Sequence, residues 1–303
     1  MPYILLAILS LLWGSSFLLI AIAARGFDAT SLALARVTIG ALALWAIALA
    51  RERRWPKGAA LWLRLAAMSA FGQAIPFLLL SAAVRQTTSG DLALMMGAAP
   101  IFAFLFARLI GEGEAWTWSG ALGLALGLTG VAIAVSGPGA HGASTFAGRA
   151  EGLAAAACYA FGATLSRGAS QKIGPSTAAA VSMTISSVLL GALWVINNSS
   201  LSAFAAIPES ALAAMAALGV FNTALAYYLY FALVMRSGAT FAALNNYAVP
   251  FVGLILGAVI LNEPIAPSAW GGLALVIAGI ALTGRARAPQ PDLPKAGAPS
   301  MAP

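Results

Sequence analysis

The sequence predicts an all-α integral membrane protein of ten transmembrane helices, arranged as two inverted five-helix repeats around a central cavity. Three observations carry this. Of 303 residues, 61% are hydrophobic and only 8% charged, whereas an ordinary soluble domain carries roughly 25% charged residues. The mean hydropathy is +0.91. Apolar runs near 20 residues, long enough to cross about 30 Å of hydrocarbon, recur along the chain. The halves of the chain also match each other at an offset of about 146 to 150 positions.

Breaking the chain at charges and at Gly/Pro clusters places helices at about residues 3–24, 30–50, 60–84, 90–110, 116–136, 149–170, 176–197, 209–235, 239–261 and 267–284. The first run has no basic leader and no small-residue cleavage site, so it is expected to be retained as a helix. The second carries Arg36, the third Gln73 beside Gly72, and the fourth Pro100. After the fifth comes SGPGAHGASTFAGRAEG, the longest Gly-rich connection, which divides a first repeat at 1–140 from a second at 147–285. The sixth run carries Tyr159, the eighth Asn222, Tyr227, Tyr228 and Tyr230, and the ninth Asn245, Asn246 and Pro250. Residues 286–303 are Pro/Ala-rich, with too little apolar surface to fold, and are expected to form a disordered tail.

The net charge of +7 does not point to nucleic acid. The basic residues sit in short clusters between apolar runs, where they orient a membrane protein. Arg25, Arg85 and Arg149 fall in one set of connections; the others, Arg36 excepted, fall in the opposite set and the tail. Both termini are therefore expected in the cytoplasm, as in a multi-pass protein of a bacterial-type inner membrane. Trp45, Trp55, Trp62, Trp116, Trp118, Trp194 and Trp270 lie near predicted helix ends, as an interfacial belt would have them, and only Trp13 sits mid-span. Cys158 alone permits no internal disulfide, and His141 alone builds no metal cluster. No metal or cofactor is expected.

In the repeat, Trp13-Gly14-Ser15-Ser16 falls on Tyr159-Ala160-Phe161-Gly162, Pro100 on Pro250, and Glu114 on Glu263. A mid-span proline followed about 13 residues later by a glutamate is harder to obtain by chance than matches among Ala, Leu and Gly. Five spans per copy is an odd number, so the second copy enters the membrane from the opposite side. That is the inverted repeat of carriers whose midplane site opens to each face in turn.

The ten spans, the WGSS motif, Arg36, the mid-span prolines and the Asn262-Glu263-Pro264 exit together resemble the EamA branch of the drug/metabolite transporter superfamily. Within it, the chain is most similar to YddG-type exporters of aromatic amino acids. The first-half exit, Gly113-Glu114-Ala115, lacks the proline and departs from that pattern.

Candidate substrate-binding residues follow from residue type and depth. Trp13 and Tyr159 are mid-membrane aromatics at matching positions, each about 15 Å deep by helical rise; they line a cavity or pack the bundle. Ser16, in the same motif as Trp13, is placed with it. Gln73 lies where Pro76 frees the Gly72 carbonyl, concentrating polarity at one level. Tyr227 and Tyr230 share a helix face and are expected to look inward, with Asn222 at the outer vestibule or a neighbouring helix. Asn245 and Asn246 cannot point the same way, so one should face the cavity and the other a helix; their counterparts are Met95 and Met96, adaptable thioethers. Pro76, Pro100 and Pro250 are candidate hinges. Arg36 could capture a carboxylate, but its place near one surface favours snorkelling or bracing a loop. Gly123, Gly127, Gly272 and Gly279 suit scaffold packing or a homodimer contact.

The expectation is a secondary transporter that exports small metabolites, foremost aromatic or other neutral amino acids, by alternating access. A nucleobase or a cationic drug is the alternative substrate. No carboxylate lies at mid-membrane, which leaves facilitated diffusion or exchange beside proton antiport. An intramembrane enzyme is the competing class, yet HExxH and a Walker loop are missing and no histidine lies in a span. A channel explains the repeat less directly.

Overall fold

The computed structural model describes residues 2–51, 55–109, 118–136, 144–197, 207–230, 232–233, 236 and 244–285. The predicted tail, Glu114 and His141 lie outside them. All regular secondary structure among the described residues is helical. Lipid leaves little else, because every backbone group there must be satisfied within the segment.

The helices are α1 (Pro2–Ala23), α2 (Ala29–Arg51), α3 (Ala59–Ser69), α4 (Ile75–Ala83), α5 (Ser89–Met96), α6 (Ala99–Leu109), α7 (Trp118–Ser136), α8 (Phe146–Ile173), α9 (Pro175–Ile196), α10 (Glu209–Gly219), α11 (Asn245–Leu261) and α12 (Pro267–Arg285). Six stretches are long and apolar enough to cross a membrane: Pro2–Ala23, Ala29–Ala50, Ala59–Ala83, Ser89–Phe106, Pro175–Ile196 and Glu209–Tyr230. Trp118–Ala134, Ala248–Leu261 and Pro267–Leu282 are shorter apolar helices. The chain is thus a multi-pass helical membrane protein.

Two of the long stretches contain a π-helical turn. In one, Ala70–Ala74 links α3 to α4; in the other, Val220–Leu225 follows α10 and leads into helical residues 226–230. Their causes differ. Pro76, at the start of α4, has no N–H to return to the Gly72 carbonyl, so the ladder re-registers one step earlier. The second turn contains no proline, and there the Thr223 hydroxyl donates to the Leu218 carbonyl five residues back, at 2.9 Å. The turns hold Gln73 and Asn222 respectively, both buried.

Three helix pairs run antiparallel, each joining an element to its counterpart in the other half. Between α2 and α9, Trp45 Nε1 donates to Thr184 Oγ1 and Trp194 Nε1 to Ser31 Oγ, both at 2.9 Å. In the α5–α11 pair, Gly90 meets Leu254, Ala93 meets Gly253 and Gly97 meets Pro250. Where α7 packs on α12, Gly130 faces Gly272 and Gly127 faces Gly279 so closely that a Cβ would strike the opposing backbone. These glycines are consumed within the chain, letting the two backbones approach as small residues do in membranes.

Around these pairs, α1 packs on α10 and α11, while α8 packs on α4, α5 and α6. The mirrored arrangement sets α1 against the second π turn, and α8 against the first.

The candidate hinges behave differently from one another. Just before Pro100, the helix is interrupted at Gly97 and Ala98, between α5 and α6. Pro76 marks a π turn within a continuous 25-residue stretch. Pro250 lies inside α11, which runs on without a break around it. As the sixth residue of α11 it lacks the N–H that would otherwise return to the Asn246 carbonyl four residues back.

At the far end of α11, Asn262 takes the left-handed conformation, φ 57°, which Asn tolerates better than most residues. The turn lets the Glu263 N–H return to the Gly257 carbonyl at 3.2 Å. It also aims the Glu263 carboxylate at the start of α5, where it accepts from Ser89 N–H (2.9 Å), Ser89 Oγ (2.9 Å) and Gly90 N–H (3.0 Å). Thr88 Oγ1 accepts from the next N–H, that of Asp91, at 3.1 Å. The first orphan donors of α5 are thereby satisfied.

Candidate functional site

The π turns and α1, α2 and α8 bring one aromatic and polar cluster together inside the bundle. Trp13 of α1 lies against Tyr230 with ring centroids 5.4 Å apart, and edge-on to Tyr227 at 6.2 Å. Both tyrosines follow the second π turn on a common face, three residues apart, as the 3.6-residue period requires. Across the bundle, Tyr159 of α8 meets Phe77 of α4 edge-on, with centroids 6.0 Å apart.

Gln73 joins the cluster at Tyr227. Its side chain is buried, 2% exposed. Oε1 accepts from Ser186 Oγ of α9 at 3.3 Å, and the amide is also hydrogen-bonded to Tyr227. Thus Gln73 both satisfies a neighbouring helix and reaches the cluster.

Arg36 departs from its expected place. Rather than snorkelling outward, it is 5% exposed, and its guanidinium carbon lies 4.0 Å from the centroid of the Phe77 ring. A cation over an aromatic face gains from the ring quadrupole, more so when desolvated. Nε donates to Thr223 Oγ1 at 3.2 Å. Because the Thr223 proton is committed to the Leu218 carbonyl, its oxygen offers Arg36 a lone pair in a fixed direction. Tyr159 and Tyr227 are the guanidinium's electrostatic neighbours. Among the described residues no backbone carbonyl of a surface loop holds it, so the bracing role is likewise replaced.

Of the remaining predicted residues, Ser16, Asn245 and Met95 each meet a neighbouring helix. Ser16 is buried on α1 and accepts from Asn222 Nδ2 at 3.3 Å, while Asn222 also donates to Ser15 Oγ at 3.0 Å and to the Leu12 carbonyl. Asn222 therefore fastens the second π turn to α1, the helix-neighbour alternative, and Ser16 is part of that fastening. Asn245, first residue of α11, accepts from Ser10 Oγ at 2.9 Å and is 2% exposed. Of the adjacent asparagines it is the one turned to a helix; Asn246 is half-buried. Met95 is 1% exposed in the apolar core against which Trp13 and Tyr159 also pack, with its sulfur against Gly152 of α8. The flat space left by a glycine admits the flexible thioether there.

Sequence reasoning passed over Phe77, Thr223 and Ser10. A signal existed for Thr223, since Asn222-Thr223 is a polar pair in an apolar run; Phe77 carried none. All the acidic residues among the described ones, Asp28, Asp91, Glu151, Glu209 and Glu263, lie at or near helix ends, away from this cluster.

The chain was compared with known proteins. The model of the EamA-like transporter family matches twice, over residues 1–136 and 149–285. The uncharacterized transporter YvbV of Bacillus subtilis is 27% identical over 176 residues, a match spanning 55% of this chain and 56% of that protein. A protein of Streptantibioticus cattleyicolor named as a probable terminal-alkyne amino-acid exporter is 28% identical over 273 residues, 90% of either chain. One solved crystal structure superposes with a TM-score of 0.64 at 18% identity, covering 93% of this chain and 95% of the other, a likeness of fold alone. With the family model spanning both halves, and helices and composition of a membrane carrier, the chain belongs to the EamA-like transporter family and is a transporter rather than an enzyme.

Proposed function

We propose that the protein exports small neutral amino acids, aromatic ones foremost, by alternating access. Ten membrane spans form two oppositely inserted five-helix halves, about residues 1–140 and 147–285, with both termini in the cytoplasm of a bacterial-type inner membrane. The observation that carries this reading is the composition of the central cluster. Trp13, Gln73 and Phe77 come from the first half, Tyr159, Tyr227 and Tyr230 from the second, and rings of the two halves touch directly. A ligand held between such residues is released to either face when one half rocks against the other. The antiparallel pairs α2–α9, α5–α11 and α7–α12 support the inverted arrangement.

The choice of substrate rests on chemistry. Aromatic faces take an apolar side chain, and buried amides and hydroxyls take the polar ends of a zwitterion. The relative named as an amino-acid exporter supports the same class. Asn246, half-buried beside Asn245, is the asparagine that serves the substrate path.

Purified protein in liposomes tests this. Labelled phenylalanine or tryptophan is expected to enter saturably and to overshoot when unlabelled substrate is preloaded. Flux that rises linearly with concentration and shows no overshoot contradicts a carrier. Nucleobases and cationic drugs in the same assay are expected to compete poorly; strong competition by either removes the amino-acid assignment.

A further inference from the structure

We propose that Arg36 is the carboxylate anchor of the transport site, so that the substrate must carry a free carboxylate; this rests on the export of small amino acids proposed above. The first ground is an unbalanced charge. Among the described residues no carboxylate reaches Arg36, its neighbours being Phe77, Thr223 and the neutral phenols of Tyr159 and Tyr227. An isolated charge within a membrane span costs about 3 kcal/mol or more, and such residues face cavities and pair with something. Among the described residues the bundle supplies a ring and a hydroxyl, and no anion.

The second ground is the state of the guanidinium's donors. Nε is occupied by Thr223. Neither Nη group is hydrogen-bonded to a described residue, and the side chain as a whole is 95% buried. Two Nη groups on the free end of a planar fork match the two oxygens of a carboxylate. The third ground is fixation: the Phe77 face and the Thr223 oxygen hold the guanidinium plane, so little side-chain freedom is lost on binding.

Position then suggests the pose. Tyr227 is an electrostatic neighbour of Arg36 and meets the Trp13 ring edge-on. A ligand with its carboxylate on Arg36 can extend its side chain along Tyr227 toward Trp13 and Tyr230. Thr223 acts as a positioning residue, through Arg36 alone.

Binding and flux are measured separately. Calorimetry on the purified full-length protein compares phenylalanine, tryptophan and leucine with their amides. Wild type is expected to bind the acids at least tenfold more tightly than the amides. In Arg36→Gln the two forms should bind within about twofold of each other, and Arg36→Lys, which keeps the charge and loses the fork, should fall between. Equal binding of acid and amide by wild type overturns the anchor, as does a preserved tenfold preference in Arg36→Gln or failure to bind any acid. Should Arg36→Gln not fold, the wild-type comparison and Arg36→Lys still decide. Flux distinguishes the wider reading: saturable transport without acid preference keeps the carrier and removes the anchor, whereas acid-selective binding without flux keeps the anchor and removes the carrier.

Discussion

Trp13→Ala is expected to lower transport efficiency for an aromatic amino acid by about tenfold to hundredfold, with membrane insertion and yield near wild type. The substitution removes two ring contacts, to Tyr227 and Tyr230. Each such pair is worth about 0.5–1.5 kcal/mol beyond area, and about 1.4 kcal/mol is a factor of ten. The indole is only half-buried, so its loss opens the site more than it hollows the core. Initial rates of counterflow in liposomes measure the effect. Trp13→Phe should recover most of the rate, because a smaller ring still meets both tyrosines. Kinetics unchanged by Trp13→Ala would place the indole outside the path.

Glu263→Ala is expected to destabilise the folded protein by about 3 kcal/mol. Its carboxylate accepts three hydrogen bonds at the N-terminus of α5, two of them from backbone N–H groups. Hydrogen bonds to a charged group contribute about 1.5–3 kcal/mol net each, and the positive end of a helix adds to the attraction. Glu263 is half-buried, which keeps the sum well below three full contributions. Reversible denaturant unfolding in bicelles reports it. Glu263→Gln retains one acceptor oxygen and should lose roughly half as much. A loss below about 0.5 kcal/mol for the alanine variant would mean that α5 is capped without this residue.

The glutamate also shows why some of the molecule was readable from sequence and some was not. Its exit position was legible because Asn262-Glu263-Pro264 follows an apolar run, but its partner lies 174 residues away in sequence, and nothing local names Ser89. Helix positions were legible for a similar reason. Lipid imposes a length and an apolar composition, and charges or glycines end each run, so boundaries such as Pro175–Ile196 follow closely.

Within the helices, legibility depended on whether the cause was local. Pro76 announced the first π turn; the second depends on where the Thr223 hydroxyl points, which sequence leaves open. The shared face of Tyr227 and Tyr230 came from helical period, and Trp13 meets both. Met95 came from repeat matching, which transfers a position and not a neighbour, so Gly152 of α8 beside it in the core was not legible. Arg36 was misjudged by depth alone. At about 10 Å from the helix end by rise, it has length enough to reach water. Instead, Phe77 and Thr223 from two other elements hold it inward. Pro250 was legible as a proline within a span, and it stands inside α11 as the sixth residue of that helix.

The most direct measurement concerns the opposed insertion of the two halves. Gly130 opposite Gly272 and Gly127 opposite Gly279 set α7 and α12 antiparallel, with Ser136 and Gly284 at opposite ends of the pair. Single cysteines at Ser136 and Gly284, in a Cys158→Ser background, can be labelled with a membrane-impermeant maleimide in right-side-out and inverted vesicles. The cysteine at Ser136 is expected to react only from outside and that at Gly284 only from the cytoplasmic side. Labelling of both from one side would contradict the inverted halves, and with them a site that each face reaches in turn.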